Sequence, residues 1–248
     1  MKTINVSELD HKEINEQLRA AHCDCTLFGC IGQRFIGAGL SENSIIIEGT
    51  PGNALGAYLN GAHIYVKGNA QDAVGDTMNN GDIIIDGCVG DAVGYAMRGG
   101  SIFIKGSAGY RAGIHMKEYK EKVPNLVIGG CAGSFLGEYQ AGGRIIVLGL
   151  DCGDRPIVSN FPGTGMHGGK MYLRSDCKNI IFPRQVNASP ASADDLNDIE
   201  PYIRNFCSYF NADYDMIISS DFTIVTPNSS NPYKQMYVAN SYDTRVAK

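Results

Sequence analysis

The feature that most constrains this chain is a repeat of 19 residues. Three consecutive segments align without a gap: SIIIEGTPGNALGAYLNGA (44–62), HIYVKGNAQDAVGDTMNNG (63–81) and DIIIDGCVGDAVGYAMRGG (82–100). A fourth unit starts at Ser101, an insertion KEYKEKVPN interrupts it, and the pattern resumes at Leu126. One glycine column contains Gly49, Gly68, Gly87, Gly106, Gly130 and Gly149, and a second contains Gly56, Gly75, Gly94, Gly113 and Gly137. Repeats of this kind fold by stacking each unit on its neighbours.

Each unit begins with a short apolar run rich in β-branched residues, which predicts a strand. Two aliphatic columns point inward: Ile45, Ile64, Ile83, Ile102, Leu126 and Ile145, and Ile47, Val66, Ile85, Ile104, Ile128 and Val147. The column between them faces outward by strand alternation, yet it is also apolar and needs a cover: Ile46, Tyr65, Ile84, Phe103, Val127 and Ile146. We call this column the outward wall. Glu48, Lys67, Asp86 and Lys105 alternate in sign and predict a charge ladder.

Strands joined by glycine corners, with each strand paired to its equivalent in the next unit, predict an all-β solenoid. The period of 19 is not a multiple of six, which excludes the left-handed hexapeptide helix, and the GGxGxD repeat of calcium-binding rolls is missing. We therefore expect a right-handed parallel β-helix with an N-terminal helix and a C-terminal α/β appendage.

The ends of the chain lack the repeat, so we expect three parts: an N-terminal helical cap (1–29), the β-helix (30–182) and a C-terminal cap or docking appendage (183–248). Ser7 with Asp10 resembles a capping box that opens a helix. Near the other end, Ile199, Ile203, Phe206 and Phe210 form a helical stripe, DMIISSDFTIV (215–225) predicts a strand, and TPNSSNPYKQMY predicts irregular structure.

The recurrent glycines, the strands and TGMHGGKMYL (164–173) closely resemble the GXGXG domain, the carboxy-terminal β-helix of the glutamate synthase large subunit. The resemblance runs from about Asn5 to Arg174 and matches stand-alone GXGXG subunits of some prokaryotes. Formylmethanofuran dehydrogenase and N-methylglutamate synthase contain the same β-helix. In glutamate synthase this domain holds no catalytic residue or cofactor, since an amidotransferase domain and a synthase domain with FMN and an iron–sulfur cluster perform the chemistry.

The residues themselves offer weak catalytic candidates. Asp72 and Asp91 occupy equivalent positions in adjacent coils, at about the 5 Å spacing of retaining glycosidases. With Asn53 in the same column, we favour a ladder of side chains that hydrogen-bond the backbone. The five histidines, His11, His22, His63, His115 and His167, lie in different registers of the repeat, and MHGG at Met166 is typical of a buried turn that closes the last coil.

Cys23, Cys25 and Cys30 lie close together, but C-x-C-x4-C has no convincing fourth ligand, since His22 is badly placed. We expect buried thiols in a reducing cytoplasm, because eight cysteines are too few for a disulfide framework and the polar start, MKTINVSELDHKEINEQLRAAH, has no signal-peptide core. The net charge of −5 gives no reason to bind nucleic acid or an anionic membrane. We predict no catalytic, cofactor-binding or metal-binding residues.

The leading hypothesis is a structural subunit of a glutamate-synthase-type oxidoreductase, active in glutamate biosynthesis and not catalytic alone. Its expected partners are an FMN and iron–sulfur synthase subunit and a glutamine amidotransferase subunit, with self-association through the outward wall as another outcome. The alternatives are the equivalent subunit of formylmethanofuran dehydrogenase or N-methylglutamate synthase, and a carbohydrate-active enzyme that uses Asp72 and Asp91.

The cysteine interpretation predicts that the purified protein contains no stoichiometric zinc or iron and stays folded in reductant. Elemental analysis measures the metal content directly. One metal per chain, lost in Cys23→Ser or Cys25→Ser, would overturn this expectation.

Overall fold

A computed structural model of the protein describes residues 1–228, which form a β-solenoid of about eight turns. The prediction of an all-β solenoid is confirmed. In chain order the elements are β1 (Lys2–Asn5), α1 (His11–Ala21), β2 (Cys25–Ile31), β3 (Ser44–Thr50), β4 (Asn60–Lys67), β5 (Asn80–Ile85), β6 (Ser101–Ile104), β7 (Asn125–Ile128), β8 (Ala141–Val147), β9 (Gly168–Leu173), β10 (Val186–Pro190), α2 (Ala193–Phe210), α3 (Tyr214–Ile218) and β11 (Thr223–Pro227).

The strands form one sheet in the order β1-β2-β3-β4-β5-β6-β7-β8-β9-β11-β10. Strands β1 to β9 pair in parallel, and Ser44 lies opposite His63 as the repeat requires. A second line of parallel bridges joins Ala70, Val89, Ala108, Ala132 and Val158 on another side of the coils. The parallel pairing begins at Lys2, so the sheet extends further toward the N-terminus than the visible repeat.

The inward aliphatic columns fill the interior of the solenoid, where every member is buried. The second glycine column faces them across the interior, and its backbone is left-handed, with φ of 64° at Gly56 and 69° at Gly113. A β-carbon at Gly56 would lie 2.6 Å from Ile83 Cδ1, and one at Gly113 would lie 2.5 Å from Ile145 Cδ1. Glycine is therefore required at these corners both by the backbone and by the interior packing.

The same corners contain left-handed residues that are not glycine, which the sequence does not reveal. Ala54 and Tyr58 flank Gly56 with φ of 62° and 57°. The Ala54 N–H donates forward to Asp72 O, whereas the Gly56 N–H donates back to Ile36 O. Successive left-handed residues thus bind the coils on either side, which compensates for their conformational cost.

The predicted charge ladder is present as two separate ion pairs. Lys67 Nζ lies 2.8 Å from Glu48 Oε1, and Lys105 Nζ lies 2.7 Å from Asp86 Oδ1. Both pairs are largely exposed and contribute little to stability.

The N-terminal helix closes the first coil, but it begins later than the sequence suggested. Asp10 is its N-cap and forms a capping box with Glu13, while Ser7 hydrogen-bonds Asn5. The predicted pairing of Ser7 with Asp10 is wrong, because the chain leaves β1 through a turn that uses Ser7.

The C-terminal appendage contains more structure than predicted. The stripe of Ile199, Ile203 and Phe206 is buried in α2, which starts at a Ser192–Asp195 capping box. The segment 215–225 is not one strand: its first half lies in α3, and only its second half enters β11, antiparallel to β9. Strand β10 was not predicted, and most of TPNSSNPYKQMY lies outside the described residues. Within residues 1–228, none of the helices has the length and hydropathy to span a bilayer.

The core assignment predicts that Ile85→Asp is far more damaging than Glu48→Ala. Ile85 is fully buried, so the substitution places an unpaired carboxylate in the interior at a cost of about 3 kcal/mol or more. We expect Ile85→Asp to lower the melting temperature by about 10 °C and Glu48→Ala to change it by only a degree or two. Similar melting curves for the two variants would contradict the inward assignment.

Candidate functional site

The outward wall, which we expected to be covered either by another chain or by the protein's own tail, is largely covered by the tail. Ile84, Phe103, Val127 and Ile146 are buried in a cluster with apolar residues of α2 and α3. The expectation that a partner or a second copy binds through this stretch of the wall is therefore wrong, because the surface is already buried within the chain. Only the N-terminal members of the wall, Ile46 and Tyr65, are partly exposed.

A charged cluster fixes α2 to the solenoid. Asp198 of α2 accepts hydrogen bonds from Arg144 Nη2 at 2.6 Å, Tyr172 Oη at 2.8 Å and Lys170 Nζ at 3.1 Å. Burial raises the pKa of Asp198, but these hydrogen bonds outweigh it and hold the pKa well below its usual value. The arrangement explains how the tail is held in register against the solenoid.

The Asp72 and Asp91 pair forms the predicted ladder. Asp72 Oδ1 accepts the Asp91 N–H at 2.9 Å, and Asp91 Oδ1 accepts the Tyr110 N–H at 2.7 Å. The Asn53 side chain makes a longer contact of 3.4 Å with the Asp72 N–H. Each carboxylate thus satisfies the backbone of the next coil, as expected for the structural interpretation.

A constellation missed at the sequence level lies in the first column of the repeat. Ser44, His63 and Asp82 are register partners on adjacent strands, and His63 Nδ1 lies 3.0 Å from Asp82 Oδ2. Burial raises the pKa of Asp82, while His63 opposes that shift. A catalytic triad also needs a hydrogen bond between the histidine and the serine hydroxyl. In the described part of the chain, His63 and Ser44 form no such hydrogen bond. The sequence signal is that His63 and Asp82 occupy the same column in adjacent units, although neither residue type recurs in that column.

Two of the three clustered cysteines and the methionine of the MHGG turn are buried. Cys25 and Cys30 are buried, and burial raises the pKa of Cys30 to about 11, which disfavours the thiolate. Among the described residues, His, Cys, Asp and Glu side chains form no group of three or more that could hold a metal.

Met166 is buried, and the His167 and Gly168 N–H groups both bind Gln140 O, so the turn closes the last coil and leads into β9.

The strongest candidate for function is an exposed strip of aromatic residues along the left-handed corner. We call it the aromatic strip and define it by Tyr95, Tyr110, Arg111, His115, Phe135, Tyr139 and Phe161. Ring centroids are 5.2 Å apart between Tyr110 and Phe135 and again between Phe135 and Phe161. Successive coils place these rings one above the other, since coil spacing is close to strand spacing.

Arg111 packs against the Tyr110 and Phe135 rings of the strip. Its guanidinium lies 5.1 Å from the Tyr110 ring centroid, and its Nε donates to Glu138 Oε2 at 2.8 Å. Arg111, Phe135 and Phe161 all have positive φ, where glycine would be less strained. Large side chains are therefore present at positions whose backbone favours small ones, and many of them face solvent.

Comparison with known proteins agrees with this architecture. A family model described as the GXGXG motif matches residues 5–229 of the chain. The chain belongs to the GXGXG motif family. An uncharacterized protein from Methanocaldococcus jannaschii is 39% identical to it, and the alignment covers 94% of this chain and 95% of the relative.

The GXGXG match includes the tail as well as the coils, since it continues to residue 229. Among residues 1–228, the tail covers most of the outward wall, while several side chains of the aromatic strip face solvent on the corner. The strip, and not the outward wall, is thus the larger aromatic surface available to another molecule.

The Asp198 cluster predicts that Asp198→Asn loosens α2 and lowers the melting temperature at pH 7 by about 3 °C or more, because it removes charge-assisted hydrogen bonds. Asp194→Asn is the matched control, since Asp194 is an exposed acidic residue in the first turn of the same helix. The pKa of Asp198 is lowered on folding, so its contribution is present above about pH 4 and is lost as pH falls below it. Equal melting of the two variants at pH 7 would contradict the role of the cluster.

Proposed function

We propose that this protein is a structural, non-catalytic subunit of a cytoplasmic glutamate-synthase-like complex. In this role it holds a glutamine amidotransferase subunit and an FMN and iron–sulfur synthase subunit in position for ammonia transfer. The match to the GXGXG motif along nearly the whole chain is the observation that carries the proposal. The resemblance to glutamate synthase assigns the catalytic parts to other subunits.

The aromatic strip supports a role in protein contact. Tyrosine and arginine are enriched among the residues that dominate binding energy at protein interfaces, and the strip combines them on a rigid surface. Because its side chains project from stacked coils held by backbone hydrogen bonds, little of the surface must be ordered on binding.

The Asp72 and Asp91 carboxylates do not favour the carbohydrate-active alternative. Each of them accepts a backbone N–H from the following coil. A general acid or nucleophile must instead direct its oxygen toward the substrate.

This proposal predicts that the isolated chain has neither glutaminase activity nor reductant-dependent glutamate synthase activity. Mixed with the amidotransferase and synthase subunits encoded in the same genome, it should form a complex on a sizing column and increase glutamine-dependent glutamate formation. The matched control is the same mixture without this chain. Turnover by the chain alone would contradict the proposed function, and so would a chain that binds neither subunit.

A further inference from the structure

Two rows of left-handed residues run along the corner, and each row has one member per coil. Within a row, each backbone N–H donates to the carbonyl group just before the next member, so the members are equivalent. Row one contains Phe35, Ala54, Ala73, Ala92, Arg111, Phe135 and Phe161, and row two contains Gly39, Tyr58, Thr77, Ala96, His115, Tyr139 and Gly165.

Row one changes from small to large side chains half-way along the corner. Three consecutive coils have alanine in this row, and the next three have arginine or phenylalanine. We call the coils of Ala54, Ala73 and Ala92 the low half, and the coils of Arg111, Phe135 and Phe161 the raised half. Because coils are spaced like strands, each half extends about 10 Å along the solenoid.

This order of side chains is self-complementary. A two-fold axis at right angles to the solenoid, between the coils of Ala92 and Arg111, places the raised half of a second copy on the low half of the first. The pairs that then face each other are Ala92 with Arg111, Ala73 with Phe135 and Ala54 with Phe161 in row one, and Ala96 with His115, Thr77 with Tyr139 and Tyr58 with Gly165 in row two. Each pair occurs twice, because a contact across a two-fold axis is isologous.

A cavity lies at the end of the low half, where Phe161 of the second copy arrives under this operation. It has a volume of about 470 Å³, and helix α1, Phe35, Ala57 and Tyr58 contribute to its lining. Phe161 is 56% exposed and Tyr58 is 59% exposed. The chain therefore has both an exposed phenylalanine and an aromatic-lined cavity, at equal distances from the same axis.

The charges near the axis favour the same arrangement. Asp72, Asp76 and Asp91 make the low half acidic, and Arg111 is the cation of the raised half. Glu138 of the raised half is buried and paired with Arg111. Asp91 is exposed and directly precedes Ala92, so Arg111 of the second copy lies beside it. Opposite charges thus meet on both sides of the axis, which favours association in this register.

We propose that two copies of the chain associate through this corner as an antiparallel dimer, with the axis between the coils of Ala92 and Arg111. The large side chains of each raised half cover the alanines of the other copy. Since the coils are rigid, few groups must be ordered on association. The dimer does not depend on the scaffold role, which concerns other subunits.

The test measures the dissociation constant of the dimer by sedimentation equilibrium. Ala92→Arg places a second large cation opposite Arg111, and the backbone accommodates it, since φ is 56° at Ala92 and 57° at Arg111. We expect the dissociation constant to rise about tenfold or more. Ala188→Arg is the matched control, because Ala188 is exposed on β10, and it should leave the constant unchanged. Melting curves verify that both variants fold.

A double variant tests the register of the two copies. Ala92→Arg combined with Arg111→Ala exchanges the large and the small residue across the axis. Antiparallel packing predicts that this exchange tightens the dimer again relative to Ala92→Arg alone. A folded double variant without any recovery would contradict the antiparallel register.

The remaining outcomes also decide the proposal. A wild-type chain that stays monomeric at high micromolar concentration would refute the dimer. A wild-type dimer that Ala92→Arg leaves intact would place the contact on another face, which also overturns the proposal. A monomeric chain whose binding to the synthase or amidotransferase subunit is weakened by Ala92→Arg would assign the corner to that subunit. This last result would refute the dimer while supporting the proposed function.

Discussion

The narrow interior of the solenoid limits which residues the corners can contain. Isoleucine δ-carbons from the strands reach the opposite corner, so a β-carbon at Gly56 or Gly113 would fall within 2.6 Å of one of them. Since close-packed interiors cannot absorb such overlaps, the corner must be glycine wherever a long aliphatic side chain faces it. At Gly94 the nearest atom to such a β-carbon is 3.8 Å away, so there the left-handed backbone, with φ of 69°, is what favours glycine.

The corner that accommodates those glycines also determines the exposed surface. Its left-handed residues donate hydrogen bonds to both neighbouring coils, and the side chains at Arg111, Phe135 and Phe161 project outward from them. A solenoid built in this way displays one row of side chains per corner position. Aromatic residues in such a row form a rigid strip without any insertion or loop. The surface proposed for partner contact is thus a direct product of the backbone geometry.

The coils could be predicted from the sequence because each residue type recurs at the same place in every unit. Columns of equivalent residues identified the inward face, the glycine corners and the pairing of Asp72 with Asp91. The tail could not be predicted in the same way. The stripe on α2 and the outward wall were both recognised as apolar surfaces, but only the fold shows that Phe206 packs in the same cluster as Phe103. Helix α3 was missed because its five residues are too few for a helical period.

The histidine–aspartate pair shows a different limit of sequence reasoning. His63 and Asp82 differ in residue type, so a search for repeated chemistry within a column passes over them. The aromatic strip was missed for a related reason, since its members come from several neighbouring columns and become a surface only when the coils stack. Ion pairs such as Arg144 with Asp198 join residues that the repeat does not relate and require the three-dimensional structure.

The composition of the native assembly tests whether this protein is a subunit of a glutamate-synthase-like complex. Affinity purification of the protein from its source under mild conditions, followed by native mass spectrometry, measures which chains accompany it and in what ratio. We expect a fixed ratio with a flavin-containing synthase subunit and glutamine-dependent glutamate formation by the purified assembly. Recovery of this chain alone, with no flavin and no second subunit, would contradict it.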